Sequence, residues 1–205
     1  MAAQHGLDLL GVAVVGSITA IGGGTLRDLL IFARTPFWSG SDGEGEYLYL
    51  AGAGAVAAFF LYPSLEQHLH KDGPALQWAD ALGLGAFAVI GTMSAIRGGL
   101  SPLLCTLSGM STATFGGLTR DVLVARKGGV RIFNSHAELY ASCAAAASVT
   151  YQLLRAAHAP LWAKVLCGVG VGVVTRAAAW EHSLKLPTWV TQGHAHLVHS
   201  ERRAE

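Results

Sequence analysis

Two Arg-Asp pairs follow glycines inside long apolar stretches of this sequence. Residues 22–30 read GGGTLRDLL, and residues 115–123 read FGGLTRDVL. A charge in an apolar medium costs about 2.5–3.5 kcal/mol on membrane-insertion scales, so these four charges need partners or water. Such residues are typical of ion or substrate pathways. The candidate functional residues are therefore Gly22, Gly23, Gly24, Gly116, Gly117, Arg27, Asp28, Arg120 and Asp121.

The glycines themselves predict a break in each motif helix. Glycine weakens a helix by about 1 kcal/mol relative to alanine. A break would free backbone carbonyls, which suit a cation. It would also start half-helices at Thr25 and Leu118, whose positive ends suit a carboxylate. Both kinds of ligand remain open at this point.

Arg27 and Asp28 are neighbours in sequence, so their Cβ directions differ by about 100° around a helix. We therefore expect each of these charged side chains to pair with a residue other than its sequence neighbour. One interpretation is a polar lining around a permeation path. The other is a pair of salt bridges between the two copies, joining Arg27 to Asp121 and Arg120 to Asp28. Two further charges, Asp80 and Arg176, are interpreted as a charge near a helix start and as a side chain that snorkels or faces the bundle.

Composition places the chain in the membrane. Of its 205 residues, 52% are hydrophobic and 13% are charged, and the mean hydropathy is +0.42. Soluble domains carry about 25% charged residues. A net charge of +1 without basic runs argues against nucleic acid as a partner. We expect no enzyme activity, cofactor or metal, because no catalytic constellation or metal spacing occurs, and we expect three buried thiols at Cys105, Cys143 and Cys167.

Six apolar segments are long enough to cross the membrane as helices. They are residues 7–33, 47–65, 78–97, 100–125, 137–157 and 162–182. The predicted fold is thus all-α and integral to the membrane. We divide it into a first repeat unit (1–74), a second repeat unit (75–159), a final transmembrane helix (160–186) and a disordered polar tail (187–205).

An offset of ninety-three positions aligns the two motifs and also residues outside them. It places Gly16 on Gly109 and Tyr47 on Tyr140. The motif helices are three crossings apart, which predicts inverted three-helix repeats with a functional path between them. A span precedes the second motif helix and has no counterpart before the first, so we expect a first helix to be missing from this sequence.

The motif sequences resemble a known family. TAIGGGTLRDLL (19–30), PFW (36–38), DALGLGAFAVIG (80–91) and GGLTRDVL (116–123) are similar to the duplicated three-helix membrane family named for glycine transport. That family is related to the trimeric intracellular cation (TRIC) channels. The resemblance implies a seven-helix protomer of inverted repeats plus a final helix, assembled as a homotrimer. It also implies a pore in each protomer, bent at the glycine motifs and passing potassium.

Three functions follow as hypotheses. The first is a channel for small monovalent cations, chiefly potassium; the second is a secondary transporter for glycine or a similar small zwitterion. The third is a non-conducting truncated scaffold, motivated by the missing helix. We expect lipids and a small ion or amino acid as partners, and a plasma (inner) membrane location. The distribution of Lys and Arg among the loops predicts a cytoplasmic C-terminal tail.

Overall fold

The computed structural model describes residues 7–39, 45–65, 74–124, 139–182 and 184. All regular structure in these residues is helical, as predicted. A short 3-10 helix, Phe37–Ser39, accompanies six α-helices. The α-helices are α1 (Leu9–Leu30), α2 (Glu46–Leu65), α3 (Pro74–Arg97), α4 (Pro102–Leu123), α5 (Tyr140–Ala156) and α6 (Leu161–Glu181).

Each of the six predicted segments corresponds to one helix, although α2, α3 and α6 begin before their predicted starts. Three stretches are individually long and apolar enough to cross a membrane: Leu9–Leu30, Gln77–Arg97 and Leu161–Glu181. The other helices are less apolar or shorter; α4 carries several buried hydroxyls, and α5 has 17 residues and is rich in alanine. Most of the α4 hydroxyls donate to carbonyls of α4 itself, and neighbouring helices cover them. The small side chains of both helices allow close packing inside the bundle.

Local sequence signals determine where several helices begin and end. The Asp8 carboxylate caps α1 by accepting from the Gly11 amide at 2.7 Å. Pro102 occupies the first turn of α4, where its missing N–H costs no hydrogen bond. Between α3 and α4, Gly99 adopts a left-handed conformation with φ +70°, which lets the chain reverse in a few residues.

Small residues allow the helices to pack closely. α4 packs against α1, α3 and α5, while α6 packs against α3 and α5. Where α3 meets α6, a Cβ on Gly85 would lie 2.8 Å from the Val169 carbonyl oxygen. The core beside this contact includes Leu84, Ala88 and two alanines of α5, Ala144 and Ala147. Such close contact holds helices together in lipid, where the hydrophobic effect between them is weak.

Cys105 and Cys143 are buried as expected, but Cys167 is exposed, so the expectation of three buried thiols is wrong for that residue. Its place on an outer face of α6 explains this, because apolar residues in a membrane helix can face lipid. The predicted tail, residues 187–205, lies outside the described residues, and the domain boundaries remain a prediction.

Candidate functional site at the crossing of the motif helices

The two motif helices are continuous through their glycines. α1 runs from Leu9 to Leu30 and α4 from Pro102 to Leu123 without interruption. The predicted half-helices at Thr25 and Leu118 are therefore wrong. In a membrane, a broken helix leaves backbone groups without water, so hydrogen bonding within the helix outweighs the weak helix propensity of glycine.

The glycines instead bring α1 and α4 into backbone contact. A Cβ on Gly23 would overlap the carbonyl oxygen of Thr112, and a Cβ on Gly116 would overlap the carbonyl oxygen of Thr19. The two contacts are reciprocal, because Gly116 and Thr112 lie ninety-three positions after Gly23 and Thr19. Their opposite order along the chain shows that α1 and α4 cross antiparallel. Gly22 belongs to the same contact, since its Cβ would lie 3.6 Å from the Gly116 Cα.

Gly24 contacts the loop that follows α1, whereas the other two glycines of its motif contact α4. A Cβ on Gly24 would lie 2.6 Å from Cε1 of Phe37. The next residue of the loop, Trp38, donates its indole N–H to the Thr25 hydroxyl at 2.9 Å. The PFW sequence therefore folds back onto the end of its own motif helix.

The first Arg-Asp pair is a local ion pair. Nε and Nη2 of Arg27 donate to Oδ1 of Asp28 at 3.0 and 2.8 Å. Arg34 donates twice to the same oxygen, at 3.2 and 3.0 Å, and the Phe37 amide donates to Oδ2 at 2.9 Å. The Asp28 side chain is fully buried. This carboxylate thus holds the arginine of its own helix and the following loop together.

The second pair repeats the geometry. Nε and Nη2 of Arg120 donate to Oδ1 of Asp121 at 3.0 and 2.8 Å. Arg27 also approaches α3, with Nη1 donating to the Ser94 hydroxyl at 3.4 Å. The predicted bridges from Arg27 to Asp121 and from Arg120 to Asp28 are wrong. An arginine side chain is long enough to turn toward the adjacent carboxylate although the two Cβ atoms point apart.

Hydroxyl groups are abundant along α4 beside this crossing. Ser108, Ser111, Thr112 and Thr114 are buried. Each donates its proton to a backbone carbonyl, as Thr112 does to Ser108 at 2.7 Å. A hydroxyl that has donated its proton still has lone pairs, so these oxygens can accept but have no proton left to offer. That chemistry suits a cation better than an anion.

A further polar cluster joins α3, α5 and α6 at the end of the bundle where α6 ends. The Tyr140 hydroxyl donates to Oδ1 of Asp80 at 3.1 Å, and Nε of Arg176 lies 3.7 Å from Oδ2. The Arg176 guanidinium also lies over the Tyr140 ring, 5.0 Å from its centre. Arg176 thus faces the bundle, one of the two predicted alternatives, while Asp80 is an interhelical partner and not simply a charge near a helix start. The sequence marked its members separately, Asp80 and Arg176 as charges in apolar helices and Tyr140 by its 93-residue match to Tyr47, but did not indicate that they meet.

Comparison with known proteins identifies the family and its fold. The family described as Glycine transporter matches residues 1–63 and 77–156. The inner membrane protein YadS of Escherichia coli strain K12 is 30% identical over 190 residues, covering 92% of this chain and 87% of YadS.

Solved structures of cation channels share the fold. One, from work on conductance through TRIC cation channels, has a TM-score of 0.77 and 30% identity, covering 93% of this chain and 89% of the other. The TRIC trimeric intracellular cation channel orthologue from Rhodobacter sphaeroides has a TM-score of 0.77 and 31% identity, covering 89% of each chain. The family and fold are thus those of membrane transporters and channels.

Proposed function

This chain belongs to the glycine transporter family, and on that premise we propose that it is a membrane channel for small monovalent cations, chiefly potassium. The observation that carries the proposal is the similarity to TRIC cation channels, at 30% identity over 93% of this chain. A shared fold alone does not fix function. The chemistry of this chain's own residues therefore has to agree with the proposal.

The geometry of the motif helices favours a cation over a zwitterion such as glycine. A glycine carrier would need donors for the carboxylate, and those were expected at half-helix ends beginning at Thr25 and Leu118. Because α1 and α4 are continuous, their amides at these positions are engaged in helical hydrogen bonds. The buried hydroxyls offer lone pairs instead, and oxygen lone pairs replace the water around a cation in selective pores.

We place the path beside the crossing of α1 and α4, along the predicted residues. In this proposal Gly22, Gly23 and Gly116 keep the two helices close, while Gly24 and Gly117 lie at the two ends of the crossing. The Arg27–Asp28 and Arg120–Asp121 pairs flank it. Both Asp side chains are almost fully buried and paired, so they serve as fixed parts of the wall and not as mobile cation ligands.

We further propose that the fold is an inverted repeat and that the protein assembles as a homotrimer. The reciprocal contacts of Gly23 with Thr112 and of Gly116 with Thr19 support the repeat. The trimeric description of the Rhodobacter sphaeroides orthologue supports the assembly. The inner-membrane relative supports the location, and the Lys and Arg distribution supports a cytoplasmic tail.

Ion flux from proteoliposomes tests the proposal. Purified protein is reconstituted under a potassium gradient, with the membrane potential read by a dye and labelled glycine offered in parallel. We expect a potassium-driven potential without glycine uptake. Saturable glycine uptake would contradict the channel and identify a carrier, while silence in both assays would favour a non-conducting scaffold.

Gly117→Ala tests the position of the path. Among the described atoms, a Cβ at Gly117 would have only Nη2 of Arg120 within 4 Å, at 3.7 Å. The added methyl group should therefore leave packing intact and reduce potassium flux if the path passes this residue. Gly83→Ala is the matched control, because a Cβ at Gly83 meets no described atom within 4 Å. Equal flux from both variants would place the path elsewhere.

A further inference from the structure

A cavity of about 900 Å³ opens at the end of the bundle where α4 begins, α5 ends and α6 begins. The chain makes a tight reversal there. His158 adopts a left-handed conformation with φ +55°, and Pro160 immediately precedes α6. The reversal brings the last turn of α5 and the first turn of α6 to one wall of the cavity. The volume lies within the range of small-molecule sites, about 300–1,000 Å³.

The charged part of this cavity is basic. Arg155, His158 and Lys164 line it, and none of its lining residues is acidic. Arg155 and Lys164 form no ion pair with any carboxylate in the part of the chain that the structure describes. This contrasts with the motif arginines, each of which is paired. Two cations beside a membrane surface without a protein counter-charge make a favourable place for an anion.

Apart from Thr106 and Gln152, which hydrogen-bond to each other, the remaining walls are apolar and continuous with the outer surface of the bundle. Leu103 and Leu153 line the cavity and are 70% and 65% exposed. Trp162, 68% exposed, lies in the first turn of α6 beside it. Tryptophan is typical of the boundary between headgroups and hydrocarbon. An occupant must therefore be anionic at one end and apolar at the other.

We propose that this cavity binds the phosphate headgroup of an anionic phospholipid. Arg155 and Lys164 bind the phosphate, and the acyl-chain segments next to the headgroup lie along Leu103 and Leu153. A free phosphate ion would use the cations and leave the apolar walls without a ligand. This inference does not depend on the proposed conduction, because it concerns a cavity between α4, α5 and α6, apart from the crossing of α1 and α4.

Native mass spectrometry of the detergent-purified protein tests the proposal, with phosphatidylglycerol and phosphatidylcholine as probes. Phosphatidylglycerol should bind in preference. Arg155→Gln and Lys164→Gln should each weaken its apparent affinity about fivefold, given the contribution of one basic residue near an anionic surface. Arg97→Gln is the matched control, because Arg97 is an exposed arginine at a helix end outside the cavity. Arg155→Lys, which retains the charge, should retain most of the affinity.

Three results would overturn the proposal. One is equal binding of the two lipids to the wild-type protein. Another is an effect of Arg97→Gln as large as those of the cavity variants. The third concerns the source of the anion. If inorganic phosphate raised the melting temperature of the protein as much as phosphatidylglycerol does, the cavity would be a site for free phosphate. Size-exclusion profiles verify that each variant is folded.

Discussion

Gly23 lies against the backbone carbonyl of Thr112, and this contact is matched by Gly116 against the carbonyl of Thr19. Two contacts related by one sequence offset join α1 to α4 without an intervening side chain. Close backbone approach of this kind strengthens dispersion, a major source of helix association in lipid, and allows weak Cα–H···O contacts as a smaller addition.

Alanine at either glycine should therefore destabilise the fold. In Gly23→Ala and Gly116→Ala the new methyl group meets backbone, which can move only if a whole helix shifts. We expect a loss of about 1–3 kcal/mol, the usual cost of overpacking, measured by thermal unfolding in detergent. Gly54→Ala on α2 is the control, because no described atom lies within 4 Å of a Cβ there. A wild-type melting temperature for Gly23→Ala would show that the helices are not in contact.

Gly24→Ala should be milder and should depend on Phe37. Its methyl group would meet a ring at 2.6 Å, and a ring can move more easily than backbone. In a double-mutant cycle with Phe37→Ala, we expect a coupling free energy of about 0.5–3 kcal/mol. Additive effects of the two substitutions would mean that the loop does not pack on the motif helix.

Asp28→Asn should be strongly destabilising, whereas Arg34→Gln should have little effect. The Asp28 carboxylate is fully buried and accepts from two arginines, so its loss leaves buried positive charge unbalanced at a cost of about 3–5 kcal/mol. The Arg34 side chain is 52% exposed, and an exposed ion pair contributes about 0–1 kcal/mol. Unfolding of both variants in detergent measures the difference, and similar losses would contradict it.

The partner of Arg27 can be identified by comparing two double-mutant cycles. The cycle of Arg27→Ala with Asp28→Ala should show coupling of about 0.5–3 kcal/mol, because the two side chains share two hydrogen bonds. The cycle with Asp121→Ala should be additive within about 0.5 kcal/mol. The reverse result would restore the bridge between repeats that the sequence predicted.

Tyr140 and its repeat counterpart Tyr47 should respond differently to loss of the hydroxyl. Tyr140 donates to Asp80, so Tyr140→Phe should cost about 1 kcal/mol in unfolding free energy. Tyr47 is 56% exposed, and Tyr47→Phe should change stability by less than about 0.5 kcal/mol. Equal effects would mean that the Tyr140–Asp80 hydrogen bond does not stabilise the packing of α3 against α5.

For the part of the chain that the structure describes, the sequence by itself determined the number, approximate extent and class of the α-helices. The segment predicted at residues 100–125 agrees closely with α4, Pro102–Leu123. Its ends were predictable because the length of the apolar run, Pro102 and the preceding turn are all local signals. The motif residues were also evident, since glycines and opposite charges inside apolar runs are costly unless something compensates for them. The family followed from the same residues.

Only the tertiary structure decided what the glycines and charges contact. Glycine propensity measured in water predicted broken helices, but within the membrane the backbone must bond to itself, so Gly23 and Gly116 became contact points between unbroken helices. Cβ directions predicted that Arg27 would avoid Asp28, but the length of its side chain allows the pair to close. The Asp80–Tyr140–Arg176 cluster joins three helices that lie far apart in sequence. Local sequence patterns carry no information about such packing, because it depends on how the faces of separate helices fit together.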